Sequence, residues 1–174
     1  PALTICYRDE YTQMLGDRRG EFDVKLPEEW LNEQFGTQTF VERFAKIKDK
    51  VEQTSKTDEF KAPYFLFTHC TERALITQSP VLWQTLMQHF FINVIPETVA
   101  CCGMAGLFGH IAKNHDETYA VYEKNWKGKI KSHDFKHCLI TGFSCRSQVH
   151  RMEGKEAVHP LFVLNDLLNK ALKK

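Results

Sequence analysis

Three short apolar runs constrain the fold of this chain more than any other feature. They lie within PYFLFTHC (63–70), INVIPETVACC (92–102) and FKHCLITGFSC (135–145). The first is an aromatic and apolar run bounded by Pro63 and reads as a buried strand. The second is strand-like and interrupted by Pro96, and the third is a strand ending at a turn. Between them lie helical patterns. SPVLWQTLMQHFF (79–91) has Ser79 as an N-cap and Pro80 at the first helical position, and ETYAVYEKNWKGKI (117–130) follows the second run. HPLFVLNDLLNKALKK (159–174) closes the chain as an amphipathic helix with Leu161, Leu164, Leu168 and Leu172 on one side. Strands alternating with helices predict an α/β fold: a single domain with a short, mostly parallel sheet flanked by helices.

The segment before the first strand reads as helical throughout. ALTICYRDEYTQMLG (2–16) is one helix ending at Gly16, and a charged turn, DRRGEFD, follows. LPEEWLNEQF (26–35) places Pro27 at a first helical position, with Glu28 and Glu29 where the positive helix end favours acids. TFVERFAKIKDKVEQ (39–53) continues helically, with Phe40, Phe44 and Ile47 on one face, and TSKTDEFK is a polar linker.

The 174 residues suffice for one domain with a real core, and 13 phenylalanines and 3 tryptophans supply material to bury. With 23 basic and 22 acidic residues and no basic stripe, nothing argues for a nucleic-acid partner. No apolar run is long enough to make a transmembrane segment, and no signal peptide is visible. A cytoplasmic location is the expectation. The start PALTIC lacks an initiator methionine, so residues 1–174 read as a domain excised from a longer parent chain.

Six cysteines, at 6, 70, 101, 102, 138 and 145, are expected to be reduced thiols in a chain of this size. Adjacent cysteines are poorly placed to pair with each other, because the peptide between them prefers trans and a disulfide needs a specific dihedral. Cys70, Cys101, Cys102 and Cys145 each follow a strand-like run. In open parallel sheets ligands bind beyond the carboxyl ends of the strands, so three strand ends deliver four thiols to one edge. Thiolates are soft ligands, and four of them close a zinc site or hold an iron–sulfur cluster. The competing reading is that these cysteines are small buried hydrophobes, which is how Cys6 and Cys138 are read.

The elements THC (68–70), VACCGMAGLFGH (99–110) and ITGFSCRSQVHR (140–151) together resemble the cysteine-rich CCG domain. That domain is found in heterodisulfide reductases, in succinate- and glycolate-type oxidoreductases, and at the end of FAD-linked oxidases. The combination is most similar to the C-terminal part of large bacterial FAD/iron–sulfur 2-hydroxyacid dehydrogenases of the D-2-hydroxyglutarate type. The resemblance runs from PALTICYRDEY to HPLFVL. It implies that Cys70, Cys101, Cys102 and Cys145 bind a 4Fe-4S cluster or zinc, and that upstream FAD and ferredoxin-like domains of the parent are its partners. It also implies two further cysteines, which would fall around Leu3 and at Gly142; their absence speaks against a five-cysteine cluster and leaves a four-thiolate site.

His69 and His110 are candidates for an additional ligand, or for a hydrogen bond to a ligand's sulfur. Either is equally read as a histidine hydrogen-bonded at a strand end. Arg146, at a helix start beside Cys145, is expected to lower that thiol's pKa, which opens a thiol–disulfide reading of Cys145. Gly103, Gly106 and Gly109 do not match the dinucleotide fingerprint and read as a tight turn. Arg8, Asp9 and Glu10 face either the same crevice or solvent. No catalytic residue is assigned. The leading expectation is an electron-transfer module of a flavin-dependent 2-hydroxyacid dehydrogenase, silent by itself. The alternative is a cluster-free or zinc-bound module that packs on the flavin domain.

Overall fold

In the computed structural model, which describes residues 1–173, β1 (Tyr64–Phe67) lies between β2 (Val94–Pro96) and β3 (Cys138–Ile140) in a parallel sheet of order β2-β1-β3. Tyr64 pairs with Val94 and Phe67 with Ile140. All three strands come from the three apolar runs, and the domain is α/β as the alternation predicts. Helices α6 (Cys70–Leu75) and α7 (Ser79–His89) connect β1 to β2. Helices α8 (His115–Tyr122) and α9 (Gly128–Lys131), joined by a π-helical turn over Glu123–Lys127, precede β3. Helices α10 (Phe143–Glu153) and α11 (Pro160–Leu172) follow it.

Side chains alternate across the strands and split the core in two. Tyr64, Leu66 and Leu139 pack with Trp83, Leu86, Met87, Leu164 and Leu167 on one face. Phe67, Cys138 and Ile140 pack with Tyr122, Trp126, Ile130 and Val149 on the other. The second cluster also contains Cys102 and Cys145.

The N-terminal segment is helical but more broken than its periodicity suggests. Its elements are α1 (Ala2–Arg8), α2 (Glu10–Leu15), α3 (Pro27–Phe35), α4 (Gln38–Ala45) and α5 (Lys48–Ser55). Gly16 does end α2, at φ +52°. Pro27 opens α3, where the Glu29 carboxylate accepts the Leu26 N–H at 2.7 Å. Ser79 is not an N-cap. Gln78 takes that position, and the Ser79 hydroxyl is buried against two glutamates instead. On α11 the fully buried stripe is Leu164, Leu167 and Ala171, while Leu172 is 55% exposed. Among the described residues no helix is long and apolar enough to cross a membrane.

Candidate functional site

Because the strands are parallel, their carboxyl ends share one edge, and the four cysteines lie just beyond it. β1 runs through Thr68 to His69, which caps α6, so Cys70 is that helix's first residue. β3 runs through Thr141 and Gly142 into α10, which carries Cys145 in its first turn. The stretch from β2 to Cys102 is irregular, and side chains pin its carbonyls. Arg73 donates to Val99, the Trp126 indole to Ala100 at 2.9 Å, and Asn125 to Cys101 at 3.1 Å.

Cys70, Cys101 and Cys102 line a cavity of about 560 Å³, whose wall also includes Leu3, His69, Gly106, Phe143 and Ser144. Cys145 sits behind Cys102, fully buried, and is within hydrogen-bonding reach of it. Cys70 and Cys101, both partly exposed, are similarly paired. All six cysteines are free thiols.

These contacts set the thiol chemistry. The hydrogen bond from Cys145, helped by backbone N–H groups, brings Cys102 down to about 7 against the opposing effect of burial. The same bond, reinforced by burial and by the neighbouring sulfurs, pushes Cys145 far up. Cys102 is thus the more acidic thiol of the two and Cys145 the less acidic. The Gly103 N–H points at the Cys101 sulfur at 3.4 Å, so the turn itself offers donors to negative sulfur. Burial is the main cause that raises Cys70. The expectation for Cys145 is therefore reversed. Arg146 turns its guanidinium to the carbonyls of Ile140 and Thr141, at 2.9 and 3.1 Å, and caps the strand end.

Two glycines allow this packing. Gly103 has φ +92°, and a Cβ there would stand 2.5 Å from the Thr118 carbonyl oxygen. A Cβ on Gly142 would stand 2.5 Å from the His69 ring and 3.0 Å from the Cys145 sulfur. Both positions without a cysteine therefore adjoin the site: Gly142 beneath His69, and Leu3 in the cavity wall.

His69 lines the cavity with both ring nitrogens engaged. Nδ1 accepts the Thr71 N–H at 3.2 Å, which leaves Nε2 as donor to the Ser144 hydroxyl at 3.2 Å. Burial holds its pKa down, so the ring is neutral and clips the start of α6 to the start of α10. His110 is exposed and is not in the cavity wall. Cys6 donates to Glu10 at 3.0 Å, away from the cavity, and Cys138 is buried in β3 with its thiol pushed up to about 12. Arg8 pairs with Glu29, while Asp9 and Glu10 are exposed.

Among the described residues no three His, Cys, Asp or Glu side chains form a group poised to hold a metal ion. The thiols are linked in a run, Cys70 to Cys101, Cys101 to Cys102 and Cys102 to Cys145. The donor chemistry still fits a soft metal or an iron–sulfur group: four thiols on three chain segments, one of them already acidic.

One feature of the site's support has no sequence signal. Glu28 and Glu72, each 1% exposed, both contact the hydroxyl of Ser79, and Thr141 donates to Glu72 at 2.6 Å. The Thr141 hydroxyl oxygen accepts the His69 N–H at 3.0 Å, which links this buried pair to the residue before Cys70. On sequence Glu28 reads as an ordinary first-turn acid; only tertiary packing buries it.

Comparison with known proteins agrees with the dehydrogenase resemblance. Over 168 residues, 97% of its length, the chain is 40% identical to D-2-hydroxyglutarate dehydrogenase of Pantoea ananatis and 38% identical to that of Escherichia coli. Its relatives are D-2-hydroxyglutarate dehydrogenases. The dehydrogenase of Pseudomonas putida is 32% identical over 164 residues, 94% of this chain. The chain spans only 14 to 15% of the length of these curated dehydrogenases. No family model matches the chain, and no solved structure matches it significantly.

Proposed function

We propose that the chain is the C-terminal, CCG-type thiolate module of a D-2-hydroxyglutarate-type dehydrogenase, and that Cys70, Cys101, Cys102 and Cys145 hold an iron–sulfur centre there. The observation that carries this reading is the gathering of four thiols from three strand ends at one cavity. Bound there, such a centre supplies one-electron transfer for electrons that a flavin elsewhere in the parent takes from the 2-hydroxy acid.

The chain's own residues have definable tasks. Ligand thiols must be deprotonated, so binding releases protons and is favoured by rising pH. Cys102 gives up its proton more readily than Cys145, whose thiol is pushed up. The Gly103 N–H and the backbone donors at Cys102 hold charge on sulfur. His69, fixed between Thr71 and Ser144, keeps the two thiol-bearing helix starts in register.

A second reading, a cluster-free or zinc-bound module, is favoured by the hydrogen bonds that link the thiols to one another. Anaerobic purification with iron, sulfide and zinc analysis, followed by visible absorption, separates the two. The leading reading expects iron and sulfide in similar amounts, lost in Cys102→Ser. Zinc without sulfide selects the second. A chain that takes up no iron and sulfide after anaerobic reconstitution overturns the first.

A further inference from the structure

Two exposed apolar side chains line the thiol cavity, and a third directly follows a lining residue in the chain. Leu3 is 66% and Phe143 74% exposed, and both line the cavity. Leu107, 81% exposed, directly follows Gly106, which lines it as well. Among the described residues no Asp, Glu, Lys or Arg lines this cavity, although 26% of the chain is charged. Four other clefts among the described residues have charged side chains in their walls. Exposed large apolar groups gathered at one place mark interaction sites.

We propose that these three side chains seat the remaining polypeptide of the parent dehydrogenase, which presents an apolar, uncharged surface and closes the cavity over Cys70 and Cys101. The proposal rests on the reading of the chain as part of such a dehydrogenase, but not on whether it binds iron. Two observations favour this occupant over a second copy of the chain. The chain accounts for about 15% of the length of its relatives, so most of such a protein is available to cover it. The apolar surface is also small. Three large side chains bury a few hundred Å² at most, against the roughly 1,200 Å² or more that a stable interface between separate molecules buries. A tethered partner needs less, because linkage within one polypeptide raises its effective concentration.

The test compares the full-length parent with this chain, both metal-free and reduced, so that its outcome is independent of the cluster. A charged maleimide labels the thiols, and mass spectrometry reads the rates at Cys70 and Cys101. Labelling is expected to be at least about tenfold slower in the parent than in the chain, as burial limits thiol access. Phe143→Glu and Leu107→Glu in the parent should each restore fast labelling. Phe162→Glu, at a similarly exposed position outside the cavity wall, should not. Circular dichroism of each variant identifies any that fails to fold, and the other of the first two then decides. Equal rates in parent and chain overturn the proposal, as do slow rates unaffected by Phe143→Glu and Leu107→Glu. So does an isolated chain that sediments as a dimer with protected thiols, which would make a second copy the occupant.

Discussion

Contact between Cys102 and Cys145 gives two chemically identical side chains opposite characters, lowering the first thiol and raising the second. Removing the donor tests it directly. In Cys145→Ala the Cys102 thiol should rise from about 7 toward the ordinary value of about 8.5, read as the pH midpoint of thiolate absorbance in the ultraviolet. An unmoved midpoint would mean that the backbone donors alone hold the thiolate. Glu28 is the second residue whose surroundings override its type. One Ser79 hydroxyl has a single hydrogen and cannot donate to both carboxylates at once. Burial, opposed by the Ser79 bond and aided by the charge of Glu72, raises Glu28 to about 7. An acid whose pKa rises on folding favours the folded state at low pH. Its contribution is complete below about 4.5 and is lost as pH climbs to about 7. At about 1.4 kcal/mol per tenfold change, the loss is about 3 kcal/mol. Glu28→Gln keeps the neutral form at every pH, so it should flatten the stability profile between these limits. Denaturant midpoints at pH 4.5 and 7.5, compared with the unsubstituted chain, check this.

The element that decides the site is the turn after β2, and its glycines are not equivalent. Gly103 combines a positive φ with a backbone neighbour that a Cβ would meet at 2.5 Å. Gly106 has φ +63° with nothing within 4 Å. Gly103→Ala therefore adds a steric clash to backbone strain and should cost about 3 kcal/mol, whereas Gly106→Ala should cost about 1 kcal/mol. Equal losses in urea titrations would show that strain alone matters. The strand-to-turn order was legible in the apolar runs, as was the gathering of their ends at one edge, because parallel strands must point the same way. The tie that His69 makes to the start of α10 was not, since it depends on Ser144 lying 75 residues away. Nor was the break between α4 and α5, where the periodic apolar pattern continues across a turn at Lys46 and Ile47.

At the scale of the molecule, one thin sheet joins two apolar clusters, so neither can be lost without exposing the other. Leu167→Ala on one side and Val149→Ala on the other, both at fully buried positions, should each lower stability by about 1 to 4 kcal/mol. Each should do so within one cooperative transition. Tryptophan fluorescence senses Trp83 in the first cluster and Trp126 in the second. Its transition should coincide with that of circular dichroism, and two separated transitions would instead mark two independent folding units.

Alternating short apolar runs and helical periodicity determined the α/β architecture, because the side-chain periods of strand and helix are local properties that sequence carries directly. The same pattern placed Cys70, Cys101, Cys102 and Cys145 beyond the strand ends. Which cysteine is the acidic one, what His69 holds, and where Arg146 points were decided only by tertiary structure. Those outcomes depend on donors and acceptors brought together from distant segments, and on how deeply each is buried. Burial can invert the effect that a neighbour in sequence suggests. A distant contact can do the same: Arg146 follows Cys145 in the chain, yet Cys102, 43 positions earlier, is the main cause that raises its thiol.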